Sequence, residues 1–153
     1  MNANLDTSYK YYEDICNICD DYSLRNQTMS HRVTALKDYA KEVAVINMVG
    51  EFEKIVFQHL GLALDEALVL VRSQYQSHQP FYVLRDSLVR KRVEVDKLDR
   101  FKQFLIQHQS LKDNLEAVIN YRNYLAHGKR NGSPSNLTIN QIKRILEDVI
   151  QLL

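Results

Sequence analysis

Val45, Val49, Phe52, Val56 and Leu60, flanked by Met48 and Ile55, form one apolar stripe at helical spacing. The period predicts a helix from about His31 to Leu60, the longest element of the chain. A helix of that length cannot leave such a stripe in water, so other helices must cover it. Gly50 interrupts the stripe and weakens the helix by about 1 kcal/mol relative to alanine. A kink or a close helix contact is expected there.

The same period recurs along the chain. A helix is expected from about Thr7 to Leu24, with Tyr12, Ile15, Cys19 and Tyr22 on one side. Another runs from Leu62 or Leu64 to Gln76, with Asp65 and Glu66 suited to its first turn. Phe81 to Val95 is locally basic (Arg85, Arg90, Lys91, Arg92) and reads either as a short helix or as an ordered loop. A helix from Asp96 or Lys97 to Gln107 points Leu98, Phe101 and Leu105 inward. Ser110 with Asp113 resembles a capping box that starts a helix bearing Leu111, Leu115, Val118, Ile119, Leu125 and Ala126. Residues 129–136 read as a loop. Thr138 with Gln141 fits a second capping box, opening a last helix from Ile139 to Leu152 on Ile142, Ile145, Leu146 and Val149.

Four glycines and two prolines in 153 residues leave few turns for a sheet. The expected fold is all-α, an antiparallel bundle of four to five core helices. Residues 1–30, polar and rich in tyrosine, are read as an N-terminal helical extension, and residues 31–153 as the bundle. A chain of this size buries roughly 70% of its unfolded surface as one domain.

A net charge of +1 gives no whole-chain attraction to nucleic acid, so any such binding must come from a local patch. No apolar run approaches a membrane span, and Met1 to Lys10 lacks an apolar leader core, which together suggest a cytoplasmic protein. Cys16 and Cys19 form a C-x-x-C, but a zinc site needs two further ligands and no second cysteine pair exists. They are read as small packing residues one helical turn apart. No metal site and no cofactor are expected.

Chemistry concentrates at Tyr121-Arg122-Asn123-Tyr124-Leu125-Ala126-His127-Gly128. Arg122 falls within the apolar stripe of its helix. A guanidinium there must be paired or must line a cleft, because an unpaired buried charge is very costly. Asn123 and His127 are four apart and share a face. Gly128 offers a helix stop. Glu53, at the border of the long helix's stripe, is the candidate partner for Arg122; the alternative is a solvated carboxylate. Lys129, Arg130, Lys143 and Arg144 form either a basic rim or a solvated helix end. Tyr121 and Tyr124 stack on bases or pack within the protein.

Arg122-Asn123 with His127 resembles the R-x4–6-H motif of the HEPN superfamily, all-α domains that include many metal-independent endoribonucleases. The likeness is closest over residues 110–128 and weaker over Asn47 to Leu60. The looser spacing also occurs at Arg25 and His31, and at Arg72 and His78. Only Arg122 sits on an apolar stripe with its histidine at a glycine-terminated helix end. The resemblance implies a toxin or anti-phage defence effector that cleaves RNA, with Arg122, Asn123 and His127 catalytic, Glu53 supporting, and Lys129, Arg130 and Tyr124 binding RNA. His127 would act as base or acid near neutral pH. Arg122 would grip the phosphate, and Asn123 would orient the imidazole or donate to a phosphate oxygen.

On an ideal helix Arg122 and His127 diverge by about 140° and about 7.5 Å in rise, so one copy makes an incomplete site. A homodimer would bring two of each together. A cognate antitoxin or regulatory protein is a further partner that the resemblance implies. HEPN toxins silenced by a nucleotidyltransferase carry an AMP-accepting tyrosine two residues after the histidine. Lys129 stands there in this chain, so that control is not expected. The alternative reading is a non-catalytic HEPN domain that binds RNA, a nucleotide or a protein partner. A third is a helical assembly bundle with Arg122 as a structural charge.

Overall fold

A computed structural model describes residues 3–25, 30–74, 105, 107–130 and 134–153. The described residues form an all-α bundle of four helices: α1 (Ala3–Arg25), α2 (Ser30–Gln74), α3 (Gln109–Ala126) and α4 (Ile139–Ile150). The basic segment 81–95, the expected helix 96–107 apart from Leu105 and Gln107, and the pairing of Arg72 with His78 lie outside the described residues.

The spine is α2. Val45, Met48, Val49, Phe52 and Val56 are all fully buried on one face. Each such side chain contributes about 1.5–3 kcal/mol by leaving water. The opposing surface comes from Leu115, Val118 and Ile119 of α3 and from Ile142, Leu146 and Val149 of α4. Leu105 joins this core.

The expected break near Leu60 is absent. α2 runs 45 residues without interruption through both Gly50 and Gly61. A glycine weakens a helix but keeps its backbone donor and acceptor, so good helix formers on either side carry the helix through. Among the described residues the expected close contact at Gly50 is absent too, since a Cβ built there meets none of their atoms within 4 Å.

α1 is not an appendage to the core. Leu5 is fully buried in the same cluster as Phe52. It heads a series at seven-residue spacing, Leu5, Tyr12 and Cys19, that keeps one face of α1 on α2. Cys19 is buried and Cys16 half-buried, both as free thiols. Tyr22, expected on that face, is 47% exposed.

Two charged contacts secure α1. Lys37 pairs with Asp20. Lys143 of α4 reaches Asp6 at 2.6 Å and lies 4.8 Å over the Tyr9 ring. The Thr138 capping box is present in both directions. The Ser110–Asp113 box is not: α3 starts at Gln109 after His108, which makes no side-chain cap. Gln109 Nε2 instead donates to Asp113 Oδ1 at 2.7 Å, so the carboxylate serves a side chain four residues back.

Gly50→Ala should raise stability by about 0.5–1 kcal/mol, read from the denaturant midpoint, because the methyl meets open space and the unfolded chain loses freedom. A fall would place an atom against that face. Burial, then a hydrogen bond with Cys16, pushes the Tyr12 phenol up to about 12. Between pH 10 and 12 the unfolded chain therefore loses this proton before the folded chain does, and stability falls as pH rises. Tyr12→Phe should flatten that part of the stability–pH curve, measured by urea unfolding at pH 9, 10 and 11.

Candidate functional site

Arg122 lies on α3 where the helix passes the edge of the α2 stripe. Its guanidinium Nη2 donates to Glu53 Oε1 of α2, forming an ion pair between two half-buried side chains. The side chains keep 24% and 27% of their surface in water, so this pair is neither a loose surface contact nor a fully desolvated one. One of five guanidinium N–H donors is used in this bond, which leaves others for a second acceptor.

Beyond Arg122 the helix is closed by its own backbone. His127 occupies the C-cap, and its N–H donates to the Asn123 carbonyl at 3.0 Å. The Gly128 N–H reaches the Leu125 carbonyl at 3.2 Å, and the Lys129 N–H reaches the Tyr124 carbonyl at 2.7 Å. This pair of bonds is a Schellman closure, which satisfies carbonyls that the helix leaves over. Gly128 takes φ 62, the role its position predicts. Lys129 takes φ 66, a left-handed conformation that costs a residue with a Cβ about 1–2 kcal/mol.

Lys129 is also held by charge. Its Nζ lies 2.8 Å from Glu42 Oε1 of α2. That contact raises the Lys129 ammonium above its usual range. Glu42 and Glu53 are eleven residues apart, three helical turns, so they lie about 20° from one another on the same edge of α2. The later carboxylate meets the earlier cation and the earlier carboxylate meets the later one. The two bonds therefore fasten α3 antiparallel to α2, with His127 between the fastened points in sequence.

His127 is exposed, whereas Arg122 is turned in toward α2. Asn123 is half-buried, and its carbonyl takes the His127 N–H. Arg130 is exposed. Tyr124 packs against the core as a half-buried side chain. Tyr121 is buried, with Lys41 Nζ 5.9 Å from its ring centre. Burial pushes the Tyr121 phenol up, the Glu42 charge adds to this, and Lys129 opposes it. The expected basic rim is thinned, because Lys129 and Lys143 each carry a carboxylate partner. Of the competing spacing, Arg25 and His31 are exposed at helix ends.

Glu42 was not evident from the sequence, although its three-turn offset from Glu53 was there to be read. A cleft of about 490 Å³ lies between α1, α2 and the start of α4, lined by Tyr9, Tyr12, Cys16, Asn17, Lys41 and Thr138 among others. No motif residue lines it. Among the described residues no three His, Cys, Asp or Glu side chains gather closely enough to hold a metal ion. Among those residues, too, no helix is long and apolar enough to cross a membrane.

The chain matches no family model, no curated protein and no solved structure. The resemblance to HEPN domains therefore stands on the motif alone.

Glu53→Ala strands a half-buried guanidinium and should lower stability by about 1–3 kcal/mol. Adding Arg122→Ala removes the stranded charge, so the double variant should lose less than the two single losses combined, by about 1 kcal/mol. Chemical denaturation of the four proteins measures both. Strict additivity would show that the pair contributes nothing.

Proposed function

We propose that this protein is a metal-independent endoribonuclease of the HEPN type whose site is completed by a second copy of the chain. The observation that carries the reading is the placement of Arg122 and His127 at one helix end. The guanidinium is held by a carboxylate while the imidazole stands exposed five residues further on. RNA cleavage by its own 2′-hydroxyl needs a base for that hydroxyl, an acid for the leaving oxygen and a cation at the phosphate. An imidazole supplies either proton step near neutral pH. The remaining guanidinium donors suit two phosphate oxygens at once.

Within one copy the inward arginine and the outward histidine do not enclose a phosphate. Two copies related by a two-fold axis supply two imidazoles, one for each proton step. Asn123, whose backbone carbonyl accepts the His127 N–H, is the residue whose side-chain amide would orient the ring. Arg130 remains as an exposed cation beside the site for RNA. A toxin or anti-phage effector with a cognate antitoxin or regulatory partner, acting in the cytoplasm, is the setting this chemistry suits.

A second reading has its own support. Glu53 already neutralises Arg122 and Glu42 already neutralises Lys129, which suits a non-catalytic domain that binds RNA, a nucleotide or a protein partner.

His127→Ala should abolish cleavage of a labelled single-stranded RNA in EDTA while leaving folding intact. Arg122→Lys keeps the charge beside Glu53 but loses the planar fork, and should slow cleavage by about 100-fold. Equal RNA decay by wild type and His127→Ala would remove the enzyme reading. RNA binding without decay in either protein would favour the second.

A further inference from the structure

Lys129 poses a question the catalytic motif does not answer. It follows a glycine already in the left-handed region and repeats that conformation, which suits glycine better than lysine. Its side chain crosses to Glu42 on α2. Exposed ion pairs add little to stability, and Lys129 retains 53% of its side-chain surface. The consequence of this pair is therefore one of place. His127 lies at the C-cap of α3, held only by the closing backbone bonds of a helix end, and such ends tend to fray. Arg122, one and a half turns earlier, is anchored by Glu53. A second anchor beyond the histidine ties the closing turn to α2 as well as to its own helix, which narrows the positions the imidazole can take relative to the guanidinium.

We propose that Glu42 is a positioning residue: it holds Lys129 against α2 and so fixes the left-handed turn that sets His127 relative to Arg122. The proposal rests on the endoribonuclease reading for its catalytic consequence, but its structural half stands apart from it. It assigns Lys129 to the scaffold, whereas the basic-rim reading assigns the same ammonium to RNA. The Glu42 charge raises the Tyr121 phenol and the Lys129 charge lowers it. Lys41 and Asp38 belong to the same surroundings.

Charge exchange separates the two assignments. Glu42→Gln, Lys129→Glu, Lys129→Gly and the exchanged pair Glu42→Lys with Lys129→Glu would be compared with wild type. Two readouts are taken: hydrogen exchange of the Gly128 and Lys129 amides (or the replacing residue's), and kcat and KM for RNA cleavage. Each single variant should speed amide exchange at the turn and lower kcat by about tenfold with KM within about twofold, as expected for a misplaced catalytic group. Lys129→Gly relaxes the backbone, so its loss of kcat without loss of overall stability would mark the ion pair as the cause. The exchanged pair restores the contact in reverse and should recover both readouts.

If the exchanged pair restores amide protection but not kcat, Lys129 acts on RNA and the positioning role is overturned. Unchanged amide exchange in Glu42→Gln overturns it whatever the activity. If wild type cleaves no RNA, the endoribonuclease reading fails by itself, and amide exchange alone decides whether Glu42 holds the turn.

Discussion

Two carboxylates on one edge of α2 decide how α3 lies. The apolar face of α2 is tolerant: Val45, Val49, Phe52 and Val56 repeat every turn, and ridges of similar side chains pack in neighbouring registers at similar energy. The edge is not tolerant. Glu53 meets Arg122 and Glu42 meets Lys129, and a slide of α3 by one turn, about 5.4 Å, would part both pairs together. Hydrophobic burial supplies the attraction between these helices, and the paired charges fit one register and the antiparallel sense. The same two contacts bracket His127, so the feature that registers the bundle also frames the site.

α1 and α4 follow a similar division. Leu5 of α1 and Ile142, Leu146 and Val149 of α4 bury in one cluster with the α2 stripe, and Cys19 is buried as well. Lys143 then ties α4 to α1 through Asp6 and the face of Tyr9. Its ammonium is raised chiefly by the bond to Asp6. Three cations, Lys37, Lys129 and Lys143, thus serve as bridges between helices, which leaves less positive charge facing outward than the sequence suggests.

Period and end signals carried most of the architecture. The stripe on α2, the stripe on α4 and the Thr138–Gln141 box were all readable because each depends on residues within a few positions of one another. Glycine within a helix was harder to read than glycine at its end. Near Leu60 the periodicity suggests a break between two helices, yet Gly61 keeps its backbone donor and acceptor and the helix continues. At Gly50 a kink or a close neighbour is expected, and among the described residues no atom lies within 4 Å of an added Cβ. At Gly128 the inference succeeded, because a Schellman closure requires the left-handed geometry that glycine adopts freely. Ser110 and Asp113 have the spacing of a cap, but the N-cap falls two residues earlier, at His108, which puts the serine inside the helix where it cannot cap. Long-range partners were harder. Glu53 was found because Arg122 demanded an anion. Glu42 was missed because exposed Lys129 made no such demand.

That difference bears on the chemistry proposed for the helix end. A guanidinium with a fixed carboxylate partner arrives at a phosphate already oriented, and little rotamer freedom remains to be lost on binding. The same carboxylate opposes the approach of an anion. A site built this way gains from geometry more than from net charge, and the chain's overall balance of +1 agrees with that. On the endoribonuclease reading, attraction for RNA would come from cations without a carboxylate partner among the described residues, such as Arg130 and Arg144, or from a second copy that doubles them. On this reading the dimer has two roles: it supplies the missing imidazole, and it gathers enough positive charge in one place to offset Glu42 and Glu53. A single copy would keep its fold and its inward arginine, yet neither enclose nor attract the phosphodiester it would need to cut.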